Sequence, residues 1–380
     1  MLNDRDCQLN RLLESISDEL NISPSMSAKA VSGYKAVGDW LDGCDFDVKI
    51  YPQGSFALGT VVKPISDEEE YDIDLVCLLR DGQELGEREI KHIVGDRLKD
   101  NGTYSKMLQV EGRRCWTLQY DEFHMDILPC VPNGMHYFES GNTEIRLTNK
   151  DEYGIYSSRL SNPQTYKIWF ENQMMPVLKD ARSKYAIERT AEVEEVQTYE
   201  VRTPLQRAVQ LLKRYRDIVF ENKGDAPISI ILTTLAAHAY NNETDLLSAL
   251  RTIINGMPNY IEEMVDGSTW IKNPAMLGEN FADRWNENSS KKDAFFYWHA
   301  RAQEEILENP LSVVGLDMVA GTLEMSFGER VVRSAMRSIA DEDRISRESG
   351  KMYMSGLTGG ISTSPTNSSK KIPAHTFYGS

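Results

Sequence analysis

Apolar residues recur at three- and four-residue steps through Leu9, Leu12, Leu13, Ile16 and Leu20, a spacing that predicts an amphipathic helix. A second helix is expected from Ser25 or Ser27, either a suitable cap, through Tyr34, Val37, Trp40 and Leu41. Between Phe46 and Tyr51 the period shortens to alternation, which predicts a strand. Residues 72–79 predict another strand, and residues 86–99 a helix with Ile90, Ile93 and Leu98 on its buried side. Residues 108–120 and 123–130 read as paired strands joined tightly at Asp121-Glu122. The stretch 133–160, rich in Asn, Gly and Ser, is expected to be loop, and helix returns over 163–184.

Residues 188–203 are acidic, lack an apolar period and predict a linker. From Pro204 the pattern is helical. Thr203 is the expected cap and Pro204 takes the first turn, while Leu205, Ala208, Val209, Leu212 and Tyr215 form the core stripe. Further helices are predicted over 245–254, 258–265, 292–307 and 310–340. Residues 355–380 hold too little apolar material to offset their ordering entropy, and disorder is expected to about Ala374. The expected layout is a helical brace (1–45), a core of mixed sheet and helices (46–185), a helical domain (186–354) and a tail (355–380).

The chemistry concentrates in YPQGSFALGTVVKPISDEEEYDIDLVCLL, residues 51–79. On a strand Asp72 and Asp74 share a face, with Ile73 and Leu75 turned to a core. Adjacent carboxylates repel unless a cation separates them, and oxygen ligands suit a hard ion such as Mg²⁺. Gly54 lets backbone approach a ligand closely, and Ser55 adds a hydroxyl and an N–H that can face phosphate. Asp126, in the strand-like FHMDILP, is a lone acid among apolar neighbours and needs a partner. If its strand lies beside that of Asp72 and Asp74, the three acids form a two-metal phosphoryl-transfer site.

The charge balance sharpens this picture. A formal net charge of −16 repels polyanions, so a long DNA or RNA partner is not expected, whereas nucleoside triphosphates carried with Mg²⁺ are compatible. The five cysteines (Cys7, Cys44, Cys77, Cys115 and Cys130) include no C-x-x-C, which suggests reduced thiols in a cytoplasm. The sequence has neither a membrane-length apolar run nor a signal-peptide pattern at its start, so a cytoplasmic, membrane-free protein is expected.

The order Gly-Ser, D-x-D and a later lone acid resembles the polymerase-β-like nucleotidyltransferases. More narrowly, QGSFALGT, EYDIDLV and HMDILPCVP resemble the bacterial cGAS/DncV-like nucleotidyltransferases (CD-NTases), and NPAMLGENFADRW is similar to a later segment of that family. The resemblance implies an α+β, bilobal fold: a nucleotidyltransferase core plus a C-terminal helical domain, with the active site in the cleft. It implies a cyclic oligonucleotide synthase that makes a cyclic di- or trinucleotide second messenger in CBASS anti-phage defence.

On this reading Asp72, Asp74 and Asp126 are catalytic and bind two Mg²⁺, with Mn²⁺ as an alternative. Gln53, Gly54, Ser55, Lys213 and Ser229 bind nucleotide, ATP being an expected substrate. Family members pair the serine at 229 with a glutamate four residues on. Thr233 stands there in this chain, so that contact is not carried over. The ending HTFYGS resembles tails conjugated by an E1/E2-like partner and released by a protease, which implicates Gly379 and Ser380. A downstream effector would bind the product and not this chain. The competing readings are a nucleotidyltransferase acting on a protein or RNA end, and an inactive scaffold working through its tail.

Overall fold

The computed structural model describes all residues except 1–2, 44, 65–69, 135–140, 190–200, 356–360, 363–368 and 373–380. Helices begin where the sequence supplies caps. Asn3 caps α1 (Asp4–Glu19), and Ser23 with Pro24 in the first turn starts α2 (Pro24–Leu41). Next come β1 (Val48–Pro52), the single turn α3 (Gly54–Leu58), β2 (Tyr71–Leu79), α4 (Glu87–Lys99) and α5 (Tyr104–Met107). The strands β3 (Trp116–Gln119), β4 (Phe123–Pro132), β5 (Ile145–Lys150) and β6 (Tyr156–Ser161) complete a mixed sheet ordered β1-β2-β4-β5-β6, with β3 also on β4.

Only β2 and β4 run parallel in that sheet, and alternation along them gives its faces opposite characters. Tyr71, Ile73, Leu75, Cys77 and Leu79 pack with Met125 and Ile127 against α2 and α4. At Gly95 of α4 an added Cβ would collide with the Trp116 indole, so glycine is what lets helix and strand approach. The opposite face is apolar at one end only, where Val76, Leu78, Leu128, Cys130, Ile145 and Leu147 cluster.

The second, larger core is helical. It contains α6 (Pro163–Gln173), α7 (Met175–Arg189), α8 (Pro204–Val219), α9 (Ser229–Ala239) and α10 (Leu246–Gly256). It continues through α11 (Asp283–Glu287), α12 (Ser289–Ala302), α13 (Asn309–Ser312), α14 (Leu316–Phe327) and α15 (Glu329–Glu348). A capping box between Thr203 and Gln206 starts α8. The first helix joins this core through Leu9, Leu12, Leu13 and Ile16, while α2 joins the sheet core.

Several expected elements differ. Residues 145–150 and 156–161 form a hairpin instead of loop, because backbone pairing to β4 and burial of Ile145 and Leu147 outweigh the turn-rich composition. The strand expected over 108–120 is confined to Trp116–Gln119, with Leu108 making an isolated bridge to Leu118. The helix expected over 258–265 is one 3₁₀ turn and a two-residue strand. Gly315 and Gly328, both at positive φ, break the long helix expected over 310–340. Within the expected disordered tail, Ile361–Ser362 and Ser369–Lys371 both pair with Tyr353–Ser355, where backbone hydrogen bonds and the buried Met352 supply order.

Candidate active site

The acids stand at the polar end of the second sheet face. In the parallel register Asp74 is the direct partner of Asp126, and Asp72 of His124. Asp72 and Asp74 project together because they are two apart on β2. The sequence therefore brings all three carboxylates to neighbouring positions on two strands. Thr117 of β3 pairs with Asp126 from the other side, and its Oγ1 donates to Asp126 Oδ1 at 2.5 Å. That bond fixes the carboxylate through Oδ1, and Asp126 itself is not among the residues lining the cleft described below. Asp126 is thus positioned by strands on both of its flanks. His124 places Nε2 2.8 Å from Glu70 and Nδ1 3.7 Å from Asp72.

Electrostatics mark the group as incomplete. Burial, then the charges of Asp126 and Asp72, push the Asp74 carboxyl up to about 7, with Lys213 opposing weakly. Asp72 is raised too, by burial first and then by the charge of Asp126, with His124 opposing and Glu70 adding to the rise. Among the described residues no group of three or more His, Cys, Asp or Glu side chains is already placed to hold a metal ion. Cys115 lies close enough to Asp126 that burial and that charge push its thiol up to about 11.

Gly54 explains the Gly-Ser pair. Its φ of +61° is left-handed, and an added Cβ would sit 2.6 Å from Asp74 Oδ2. The backbone is bound to the same residue, since Gln53 N donates to the Asp74 carbonyl at 2.8 Å. Gly54 and Ser55 line a cleft of about 710 Å³ with Asp72, Asp74, Lys213 and Ser229. Gln53 is not among its lining residues and acts here through its backbone.

Helix α8 forms the opposite wall. Gln206 donates to Leu58 O at 3.0 Å, Gln210 to Val61 O at 2.6 Å, and Arg214 to Pro64 O at 3.3 Å. Lys213 Nζ lies 3.2 Å from both the carbonyl and the hydroxyl of Thr60. A polar stripe of α8 thus clamps the segment that follows α3, and the lysine is buried in the cleft wall instead of solvated. Burial, then the nearby Arg216, pull its ammonium down to about 7, while Asp217 and Asp74 oppose that shift. Arg216 Nη1 donates to Ser229 Oγ at 2.8 Å and Thr233 Oγ1 to Ser229 O at 2.8 Å. Thr233 also lines the cleft, although its side chain is satisfied by its own helix.

Sequence reasoning missed Thr117, Thr60 and Arg216. Only Thr117 was legible, because a tight turn at Asp121-Glu122 sets it opposite Asp126. Gly379 and Ser380 lie outside the described residues. No helix among the described residues is long and apolar enough to cross a membrane.

Comparison with known proteins bears on the fold. The family model described as cyclic GMP-AMP synthase DncV-like, nucleotidyltransferase domain, matches residues 48–129. A "c-di-GMP synthase" from Roseivirga ehrenbergii is 29% identical over 98% of this chain and 97% of its own length. The "cyclic dinucleotide synthase CdnG" from Bradyrhizobium diazoefficiens is 24% identical over 87% of this chain and 83% of its own. The solved structure of that CdnG in complex with GTP superposes with a TM-score of 0.68 at 20% identity, covering 87% of this chain and 99% of the other. Vibrio cholerae DncV with nonhydrolysable GTP gives 0.55 at 15% identity, over 87% and 88%. The mixed-sheet and helical halves are therefore those of the CD-NTase fold.

Proposed function

We propose, from the match of residues 48–129 to a DncV-like nucleotidyltransferase domain, that this chain is a cyclic dinucleotide synthase with GTP among its substrates. A ribose hydroxyl oxygen of one nucleotide attacks the α-phosphorus of another. The bond to the β-phosphate breaks, pyrophosphate leaves and the hydroxyl proton is lost. A second such step closes the ring. The observation that carries the proposal is the register pairing of Asp126 with Asp74, which lines a cleft together with Asp72, Gly54 and Ser55. The names of the relatives support the cyclic dinucleotide and GTP. A trinucleotide product and ATP as co-substrate are the other outcomes of the assay below.

The acids fit a hard divalent ion, since they offer only carboxylate oxygens and their repulsion is otherwise uncompensated. Asp72, Asp74 and Asp126 would hold it. When bound, two Mg²⁺ or Mn²⁺ ions neutralise the triphosphate and acidify the attacking hydroxyl. Thr117 keeps Asp126 oriented toward the acceptor, where its free oxygen can take the hydroxyl proton. Gly54 and Ser55 present the first N–H groups of α3 and the serine hydroxyl to the donor's β- and γ-phosphates. Lys213 gives positive charge from the opposite wall when nucleotide raises its proton affinity, and Ser229, held by Arg216, faces the same space.

A role in anti-phage signalling, in a bacterial cytoplasm, is the biological reading we favour. A complex of Escherichia coli CdnC with a HORMA protein shows that a similarly folded protein assembles with a protein partner. For this chain we propose Gly379 and Ser380 as the place where an E1/E2-like enzyme conjugates and a protease releases the tail. Mass spectrometry of phosphatase-treated products from all four NTPs tests the activity. A phosphatase-resistant cyclic dinucleotide containing guanosine is expected, and only linear products or none would reject it.

A further inference from the structure

Two rows of residues cross the sheet where β3, β4 and β2 lie side by side. The first is Thr117, Asp126 and Asp74, and the second is Gln119, His124 and Asp72. Directly paired residues share a face, and the two rows share one because their members stand two apart on every strand. The second row repeats the first, with a histidine where the first has an acid.

The three acids are held differently. Asp126 accepts the Thr117 hydroxyl bond. Asp74 lies against the turn at Gly54, and its carbonyl accepts from Gln53 N. The Asp72 side chain is 72% exposed, and among the described residues His124 is the side chain that meets its carboxylate, Nδ1 to Oδ1 at 3.7 Å. Contacts at catalytic sites are often this loose before substrate arrives and tighten in the complex. His124 also counters the repulsion that Asp126 and Glu70 exert on Asp72.

His124 is itself gripped from outside. Its Nε2 lies 2.8 Å from Glu70 Oε2 and 2.8 Å from Gln119 Oε1. Gln119 Nε2 donates to both Glu70 oxygens at 2.6 Å, and Gln109 Nε2 donates to Gln119 Oε1 at 2.6 Å. With that edge engaged, the ring presents Nδ1 to Asp72. Glu70 lines the cleft beside Asp72, but its oxygens are taken by His124 and Gln119, so it acts on the histidine. Exposed polar pairs contribute little to stability, and folding alone gives no reason to order these side chains around one carboxylate.

We propose that His124, gripped by Gln119 and Glu70, is a positioning residue that holds the Asp72 carboxylate ready for the divalent ion. Groups that orient a metal ligand commonly change metal affinity or activity by about 10- to 100-fold.

The proposal rests on Asp72 being a metal ligand of a synthase, so its test reads metal binding and turnover separately. Electron paramagnetic resonance gives Mn²⁺ affinity with a nonhydrolysable GTP analogue, and product formation gives kcat and KM for GTP. His124→Ala should weaken Mn²⁺ binding about 10- to 100-fold and lower kcat by a similar factor. KM for GTP should hold, since the ring acts on Asp72 and not on nucleotide. His124→Asn, whose amide nitrogen can stand where Nδ1 stands, should recover most of the Mn²⁺ affinity. Gln119→Ala, at an exposed position, should give a smaller loss and add nothing further in the His124→Ala background. His92→Ala, which removes an imidazole 3.1 Å from the Tyr156 hydroxyl on the other side of the sheet domain, should change neither readout. Unchanged Mn²⁺ affinity in folded His124→Ala, or in Gln119→Ala should the former not fold, would overturn the proposal. So would an asparagine variant no better than alanine. Mn²⁺ binding that depends on His124 in a protein forming no cyclic product would reject the synthase reading and leave the positioning role standing.

Discussion

The two ends of one sheet face behave as opposites. At one end β2 and β4 offer Asp72, Asp74 and Asp126; a few residues further the same strands offer Val76, Leu78, Leu128 and Cys130. Backbone pairing is continuous through both, so the difference lies wholly in side chains. The apolar end releases free energy by excluding water. The acidic end opposes folding, since burial and mutual repulsion hold protons on Asp74. Stability and chemistry are thus separated by only a few residues of strand. That economy is how a strained charge cluster can be kept: the hydrophobic end and the α8 clamp secure the backbone on which it sits.

Variants can break this contrast. The largest effect is expected at the acids: Asp72→Ala with Asp74→Ala should reduce ³²P incorporation from labelled NTPs more than about 10³-fold. The melting temperature should not fall, because repulsion is removed. At the apolar end Leu78→Ala, which empties a fully buried position, should cost about 2–5 kcal/mol by urea unfolding. Turnover per folded molecule should persist. Gly54→Ala joins the two effects, since it strains a left-handed residue and pushes on the Asp74 carboxylate. It should lower synthesis by roughly 10- to 100-fold and stability by about 1–2 kcal/mol.

The smallest effect is on pH dependence. Asp74 binds its proton up to about pH 7 when folded, against 3.8 as the ordinary value. Between those values the folded protein holds more protons than the unfolded chain, so stability falls as pH rises. Thermal melts of the metal-free protein should therefore show a decline through this window that Asp74→Asn flattens. Divalent-ion affinity should move the other way and strengthen as pH rises toward 7, because cation and proton compete for the same carboxylate.

How legible this was in the chain depended on the range of the interactions. Alternation alone assigned Asp72 and Asp74 to one face and Ile73 to the core. The cap at Thr203 and the periods of α1, α4 and α8 were local signals and were read correctly in outline, whereas α2 is capped by Ser23 and not by the expected Ser25 or Ser27. The hairpin of β5 and β6 was not, since its order comes from pairing with β4, and its Asn, Gly and Ser content suggested loop. Lys213 falls off the apolar stripe of α8, yet the segment around Thr60 covers it, a contact between residues 153 apart.

The central claim is that Asp126, remote in sequence, shares a divalent ion with Asp72 and Asp74. Electron paramagnetic resonance of Mn²⁺ titrated into wild type and Asp126→Asn, each with a nonhydrolysable GTP analogue, tests it most directly. The account predicts that the single variant loses at least one bound Mn²⁺ per chain while staying folded. Equal Mn²⁺ stoichiometry and affinity in the two proteins would contradict it.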